Sequence, residues 1–167
     1  EKLQERLQQS AVVFTPETAQ HWGRMLDEIC QDLQLFSLRT VMLDNSLASQ
    51  LVAMTPCTNK RSMQAHITTD PILAAVFRGS DAMRTIQQHA TRLREEHATS
   101  DVCCAVIAPA DVSQFNTMQQ AFFGSSPPAH TATLDSCTCC VILPHAVKRN
   151  NAGKILSHIT EQVNITP

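Results

Sequence analysis

Ala11-Val-Val-Phe-Thr-Pro16 and Cys139-Cys-Val-Ile-Leu-Pro144 present one pattern twice: a continuous apolar run closed by a proline. A short apolar run of this kind reads as a fully buried strand. Allowing two extra turn residues in the later copy, Gly23-Arg-Met-Leu26 then matches Gly153-Lys-Ile-Leu156, and Ile29 matches Ile159. A strand, a proline, a turn and a glycine-entered amphipathic helix therefore recur roughly one domain length apart. Chance supplies apolar matches readily, but seldom a proline, a glycine and a basic residue in order. A lone strand and helix cannot bury a core. The second copy is therefore expected either to belong to a parent chain that continues past Pro167, the reading preferred here, or to dock on another surface. The start at Glu1 rather than Met fits a processed chain or a piece of a longer one.

Outward from the first copy, Trp22, Met25, Leu26, Ile29 and Leu33 share one helical stripe. Leu35 to Leu43 reads as a second strand, with Phe36, Leu38, Thr40 and Met42 alternating to one side. Ser46 to Met54 is predicted as a short helix capped by Asn45 or Ser46, and Thr55 to Thr69 as polar and irregular. Ile72 to Phe77 makes a third strand. Gly79-Ser80 turns the chain into a helix capped by Ser80, with Met83, Ile86, Ala90 and Leu93 on one face. Val102 to Ile107 is read as a fourth strand and Asp111 to Phe123 as the helix behind it. The order β-α-β-(α)-β-α-β-α predicts an α+β fold, a ferredoxin-like split βαβ sandwich with one helical layer over an antiparallel sheet. The expected organisation is one unit over 8–124, a linker over 125–135, and the opening strand and helix of a second unit over 136–167.

Bulk properties narrow the function classes. The chain has 167 residues, 43% hydrophobic and 17% charged, the mix of a folded soluble domain. A net charge of -2, with Lys60-Arg61 and Lys148-Arg149 only isolated pairs, gives no basic stripe for nucleic acid. No apolar run approaches the roughly 18–20 residues of a membrane span, and no basic-then-apolar leader is visible. Neither nucleic acid nor membrane is expected as a partner. The seven cysteines include one C-x2-C, Cys137 and Cys140, without a second pair to complete a zinc set. The neighbours Cys103-Cys104 and Cys139-Cys140 lie in strand-like runs, where adjacent side chains point to opposite faces. They are read as small buried apolar residues, with no metal implied.

Cys139-Cys-Val-Ile-Leu-Pro-His-Ala-Val147 followed by Gly153-Lys-Ile-Leu156 resembles the opening of nucleoside diphosphate kinase domains. That opening is a strand ending in Lys-Pro-Asp or Lys-Pro-His, then a helix entered through Gly-x-Ile. The Cys-Thr-Cys-Cys run and Pro-His-Ala-Val look most similar to the second domain of the family's two-domain, ciliary branch. Ile67-Thr-Thr-Asp-Pro-Ile-Leu-Ala74 and Arg78-Gly-Ser-Asp-Ala82 resemble the family's Gly-Pro strand and the helix after it. Asp111 to Phe123 resembles the helix behind the catalytic strand.

What the resemblance implies is a ping-pong enzyme in which a histidine carries the γ-phosphoryl group between nucleotides. That histidine stands in an Asn-x-x-His-Gly-Ser-Asp type stretch after the fourth strand. Here Ala105-Val-Ile-Ala-Pro-Ala-Asp111 occupies the place, so the histidine falls on Ile107, or on Val106 with a slip of one. The phosphate-contacting lysine before the strand-end proline is Thr15 in the first copy and Leu143 in the second. The family's tyrosine has no counterpart in a chain without tyrosine. Nor has its phosphate-meeting arginine stretch a recognisable one between Ala90 and Val102, a shortened interval. A phosphate clamp needs several donors at once, so such losses compound.

Among the histidines, His21, His89 and His158 lie off the apolar stripes and read as solvated. His145 follows Pro144 away from the catalytic position. His97, near Glu95, Glu96 and Asp101, is a weak candidate for titration or coordination. The N-terminus of the Asp111 helix is a remaining place for an anion.

The resemblance therefore implies a pseudoenzyme with catalytic residues none and cofactors none, Mg-nucleotide entering only if residual binding survives. Its expected role is that of a structural component of the ciliary or flagellar axoneme. It would lie in the cytoskeleton on doublet microtubules, as a microtubule inner protein contacting tubulin and neighbouring axonemal proteins. The alternatives are a kinase whose active domain lies beyond residue 167, and a nucleotide-binding regulator without turnover.

Overall fold

β1 (Gln8–Phe14) lies inside the sheet because it is apolar on both faces, from Ala11 to Phe14. The computed structural model describes residues 7–100, 104–126, 128, 131, 135 and 137–162. A short 3₁₀ turn (Pro16–His21) leads into α1 (Trp22–Cys30), and β2 (Gln34–Val41), α2 (Asn45–Ala53) and α3 (Lys60–Ile67) follow. Next come β3 (Ile72–Gly79), α4 (Ala82–His97), β4 (Val106–Ile107) and α5 (Val112–Phe123). After the linker come α6 (Pro144–Lys148), α7 (Ala152–Ser157) and a π-helical turn (His158–Gln162).

The described strands form one antiparallel sheet in the order β2-β3-β1-β4, the ferredoxin-like arrangement expected. Both faces are covered, not one. Val12, Phe14, Ala75 and Phe77 pack under α1 and α4, while Ala11, Val13, Ala74 and Ile107 pack under α2, α3 and α5. The period of two along each strand makes this division. Met25, Leu26 and Ile29 of α1 are fully buried, each stabilising the fold by about 1.5–3 kcal/mol.

Several expectations are corrected. A register shift between Leu35 and Ser37 leaves Phe36 as an extra residue, so Phe36 and Leu38 do not share one alternation. Asp44, not Asn45 or Ser46, caps α2, accepting the Leu47 N–H at 2.8 Å. The stretch read as irregular contains α3, capped by Asn59. Asp81 rather than Ser80 precedes α4, in the left-handed region at φ 56°. β4 is only two residues long. Val102 and Cys103 of the predicted strand lie outside the described residues, and Ala105 at φ 62° ends the ladder.

The strand expected over 139–143 pairs with no described strand; Val141 and Leu143 stand exposed, at 72% and 54%, and Ile142 is half-buried. Extended backbone becomes a strand only beside a partner. The cysteine reading divides likewise. Cys30 is buried and Cys104 half-buried, but Cys137, Cys139 and Cys140 are exposed.

Candidate functional site at the ends of β1 and β4

The antiparallel register sets Val13 opposite Ile107 and Phe14 opposite Val106, and the Thr15 N–H donates to the Ala105 carbonyl at 3.0 Å. Two of the residues singled out from sequence, Thr15 and Ile107, are thus brought to one end of the sheet. Leu143 is not; it precedes α6 and is exposed. Ile107 is 1% exposed, its side chain packed with Val13, Phe115 and Phe122 on the α5 side. Thr15 is also buried, and its Oγ1 has no hydrogen-bond partner among the described residues.

Just before β4 the chain makes a γ-turn, with the Val106 N–H donating to the Cys104 carbonyl at 2.6 Å across Ala105. A non-glycine residue in this region costs about 1–2 kcal/mol, which its neighbours must offset. They do so with charged side chains. Glu17 Oε1 accepts the Ala105 N–H at 3.2 Å, and its Oε2 lies 2.8 Å from His66 Nε2. On the other side Arg94 Nε donates to the Val106 carbonyl at 2.8 Å.

Glu17, His66, Arg94 and Cys104 are functional-site residues that sequence reasoning missed. Arg94 had a signal, since it lies four residues after Ala90 on the edge of the buried stripe of α4. Glu17 and His66 meet only through the tertiary fold.

The chemistry open to this arrangement is narrow. Cys104 carries a nucleophilic atom beside the γ-turn, but burial pushes its thiol up to about 11, with Glu17 adding to the rise and Arg94 opposing it. At neutral pH roughly one such thiol in ten thousand is the reactive thiolate. Burial also lowers the Arg94 pKa. The Glu17 carboxylate takes the Ala105 amide proton that an anion would need, and repels a second negative charge.

Arg94, Cys57, Cys104 and Pro56 line a cavity of about 170 Å³. That is below the 300–1,000 Å³ or so of small-molecule sites. A wider depression of about 520 Å³ between α2 and α5 is walled by Gln50, Ser113, Asn116 and Gln120, with no charged group to meet phosphate.

The histidines fall elsewhere. His145 and His158 are exposed. His89 is not solvated as expected: it is 7% exposed, with Nε2 2.8 Å from Asp32 Oδ2. His21 is half-buried and stacks on His97 at 5.2 Å between ring centroids. Asp111 caps α5 through the Gln114 N–H, so its carboxylate occupies the helix N-terminus proposed for an anion. Among the described residues no three His, Cys, Asp or Glu side chains converge to hold a metal, and no helix is long and apolar enough to cross a membrane.

A four-stranded antiparallel sheet in this order, with helices on both faces, is the nucleoside diphosphate kinase-like fold. The Aquifex aeolicus nucleoside diphosphate kinase has this fold, with a TM-score of 0.57 at 15% identity over 68% of the chain and 92% of the kinase. No family model matches the chain. Over 72 residues, 41% of the chain, it is 36% identical to mouse (Mus musculus) nucleoside diphosphate kinase homolog 7. Over 45 residues, 25% of the chain, it is 47% identical to the rat (Rattus norvegicus) protein of the same name. These matches span 18% of the mouse protein and 11% of the rat protein. In fold and over these stretches of sequence the chain is similar to nucleoside diphosphate kinase-like proteins.

Proposed function

We propose that the chain is a non-catalytic, structural member of the nucleoside diphosphate kinase-like family, acting in the ciliary or flagellar axoneme. The observation that carries the non-catalytic part is Ile107, an aliphatic side chain packed into the core where the family places its phosphate-accepting histidine. Glu17 and Arg94 support it, because each already serves the γ-turn backbone. Thr15, in the place of the phosphate-contacting lysine, brings no charge.

The axonemal placement rests on the resemblance of 139–156 to the two-domain ciliary branch and on the similarity to homolog 7. In this reading 8–124 is the degenerate unit, 125–135 the linker and 136–167 the beginning of a second unit. The partners are tubulin and neighbouring proteins of the doublet microtubule, in the manner of a microtubule inner protein. No nucleotide, metal or other cofactor takes part.

The test is phosphoenzyme formation. The protein is incubated with γ-labelled ATP beside an active family member, and acid-labile phosphohistidine is mapped. We expect no label, and no rise in melting temperature with Mg-ATP, since any ligand of the native state raises it. Label on a histidine would overturn the non-catalytic reading. Retention of the tagged protein on detergent-extracted axonemes tests the placement separately, and its release with the membrane and matrix fraction would reject it.

A further inference from the structure

Two cysteines from distant parts of the chain share one cavity. Cys57 comes from the loop between α2 and α3, and Cys104 from the segment that enters the γ-turn before β4. Both line the opening of about 170 Å³ beside Arg94, and both pack against the apolar residues on the α2, α3 and α5 side of the sheet. Their surroundings differ. Cys57 stands on the rim between exposed Pro56 and Thr58, whereas Cys104 is followed by the buried run Ala105 to Ala108. Burial contributes most to the raised Cys104 pKa, and negative charge on Cys57 adds to it, so the two sulfurs lie within electrostatic reach. A water molecule takes about 30 Å³ of the liquid, so a space of this size admits hydrogen peroxide with its two oxygens.

We propose that Cys57 and Cys104 are a peroxide-sensitive dithiol pair, oxidised to an intramolecular disulfide that ties the α2–α3 loop to the entry of β4. The Cys57 sulfur attacks one oxygen of hydrogen peroxide; the O–O bond breaks, water leaves, and Cys57 becomes a sulfenic acid. The Cys104 sulfur then attacks the Cys57 sulfur, the S–S bond forms and a second water leaves. The two sulfurs together lose two electrons to the peroxide, and both thiol protons end in water. The order of the steps follows from position. Cys57 meets the peroxide at the rim, while burial pushes the Cys104 thiol up to about 11 and reserves it for the second step. Arg94 opposes that rise from the wall of the same cavity, where the Cys104 thiolate forms as it attacks. Cys30 is buried in the core on the other face of the sheet and serves as an internal control.

The experiment treats the reduced full-length chain with an equimolar amount of hydrogen peroxide. Remaining thiols are then alkylated in denaturant, the chain is digested without reduction, and its peptides are mapped by mass spectrometry. The expected product joins Cys57 to Cys104, is reversed by dithiothreitol and leaves Cys30 as a free thiol. Fragment spectra assign the bridge to Cys104 and not to the adjacent Cys103. Cys104→Ser should lose the cross-link and leave Cys57 as a sulfenic acid captured by dimedone. Cys57→Ser should leave Cys104 unoxidised at the same dose. The bridged chain is expected to melt about 5 °C or more above the reduced one, because the bridge constrains the unfolded chain. Survival of both thiols overturns the proposal. So does a bridge from Cys57 to Cys103, Cys137, Cys139 or Cys140 in place of Cys104. A Cys57–Cys104 bridge that fails to raise the melting temperature overturns it too, since the sulfurs would then meet only in a distorted chain.

Discussion

Burial holds Cys30 and Cys104 as neutral thiols, each pushed up to about 11 from the ordinary 9.0. For Cys30 the nearby Asp27 adds to the effect. A thiol whose folded pKa is raised contributes its full stability below the unfolded value, and loses it as pH rises through the folded one. The window is therefore about pH 9 to 11. Stability is expected to fall across it by at most about 3 kcal/mol per thiol, seen as a falling melting temperature. Cys30→Ala should flatten part of that fall; an unchanged profile would show that the thiol is not the titrating group. His89 gives a second test. Its Nε2 meets Asp32 and its Nδ1 lies 3.1 Å from Arg92 Nη2, so the ring is held at both ends. His89→Ala is expected to cost about 1–3 kcal/mol in urea denaturation, the range for a lost buried polar partner. Helical periodicity marks His89 as solvated because it places the residue off the main stripe. Asp32 arrives from the loop after α1, a contact 57 residues distant in sequence, and local pattern cannot see it. Glu17 and His66 were hidden for the same reason. Thr15 and Ile107 could be singled out from sequence because the resemblance ties each to a local motif, Thr15 between the end of β1 and Pro16 and Ile107 within the stretch Ala105 to Asp111.

Elements were legible where apolar spacing specifies them and illegible where capping does. α1, α4, α5 and β3 follow their apolar patterns closely, although α4 also buries His89 and leaves Met83 half-buried. The start of α2 was misplaced by one or two residues, because Asp44, Asn45 and Ser46 are all good caps and only the backbone conformation chooses among them. Asp44 has the extended conformation a cap requires, at φ -82° and ψ 169°. Asp44→Ala is therefore expected to cost about 1 kcal/mol, while Ser46→Ala stays within about 0.5 kcal/mol. Chemical denaturation of the two variants side by side decides it; equal losses would return the cap to the later residue. α3 was missed because only Met63 and Ile67 of its eight residues are buried, too few to show a period. β4 was overextended because the apolar run over 104–107 hides the γ-turn at Ala105, where alanine gives no sign of a left-handed backbone.

At the scale of the molecule, one sequence pattern meets two environments. Val13 and Val141 hold the same place in the two copies of the strand-proline motif, yet Val13 is fully buried and Val141 is exposed. Val13 pairs with Ala74 on one side and Ile107 on the other, whereas the backbone beside Val141 has no described partner strand. Apolar sequence expresses what a segment would bury, and topology decides whether anything is there to bury it. The helical half of the second copy does find a partner, since Gly153 lets α7 close on α1. Its strand half does not, because pairing needs a sheet edge and α1 offers a helix face. The two valines should therefore respond oppositely to the same change. Val13→Ala is expected to cost about 2–3 kcal/mol, from lost burial and the cavity left between β1 and α5. Val141→Ala should leave stability within about 0.5 kcal/mol, and Val141→Ser should reduce self-association by removing an exposed apolar group. Urea midpoints and light scattering measure both. A loss at Val141 comparable to that at Val13 would mean that 139–143 is buried in solution, and that the strand half of the second copy has found an edge after all.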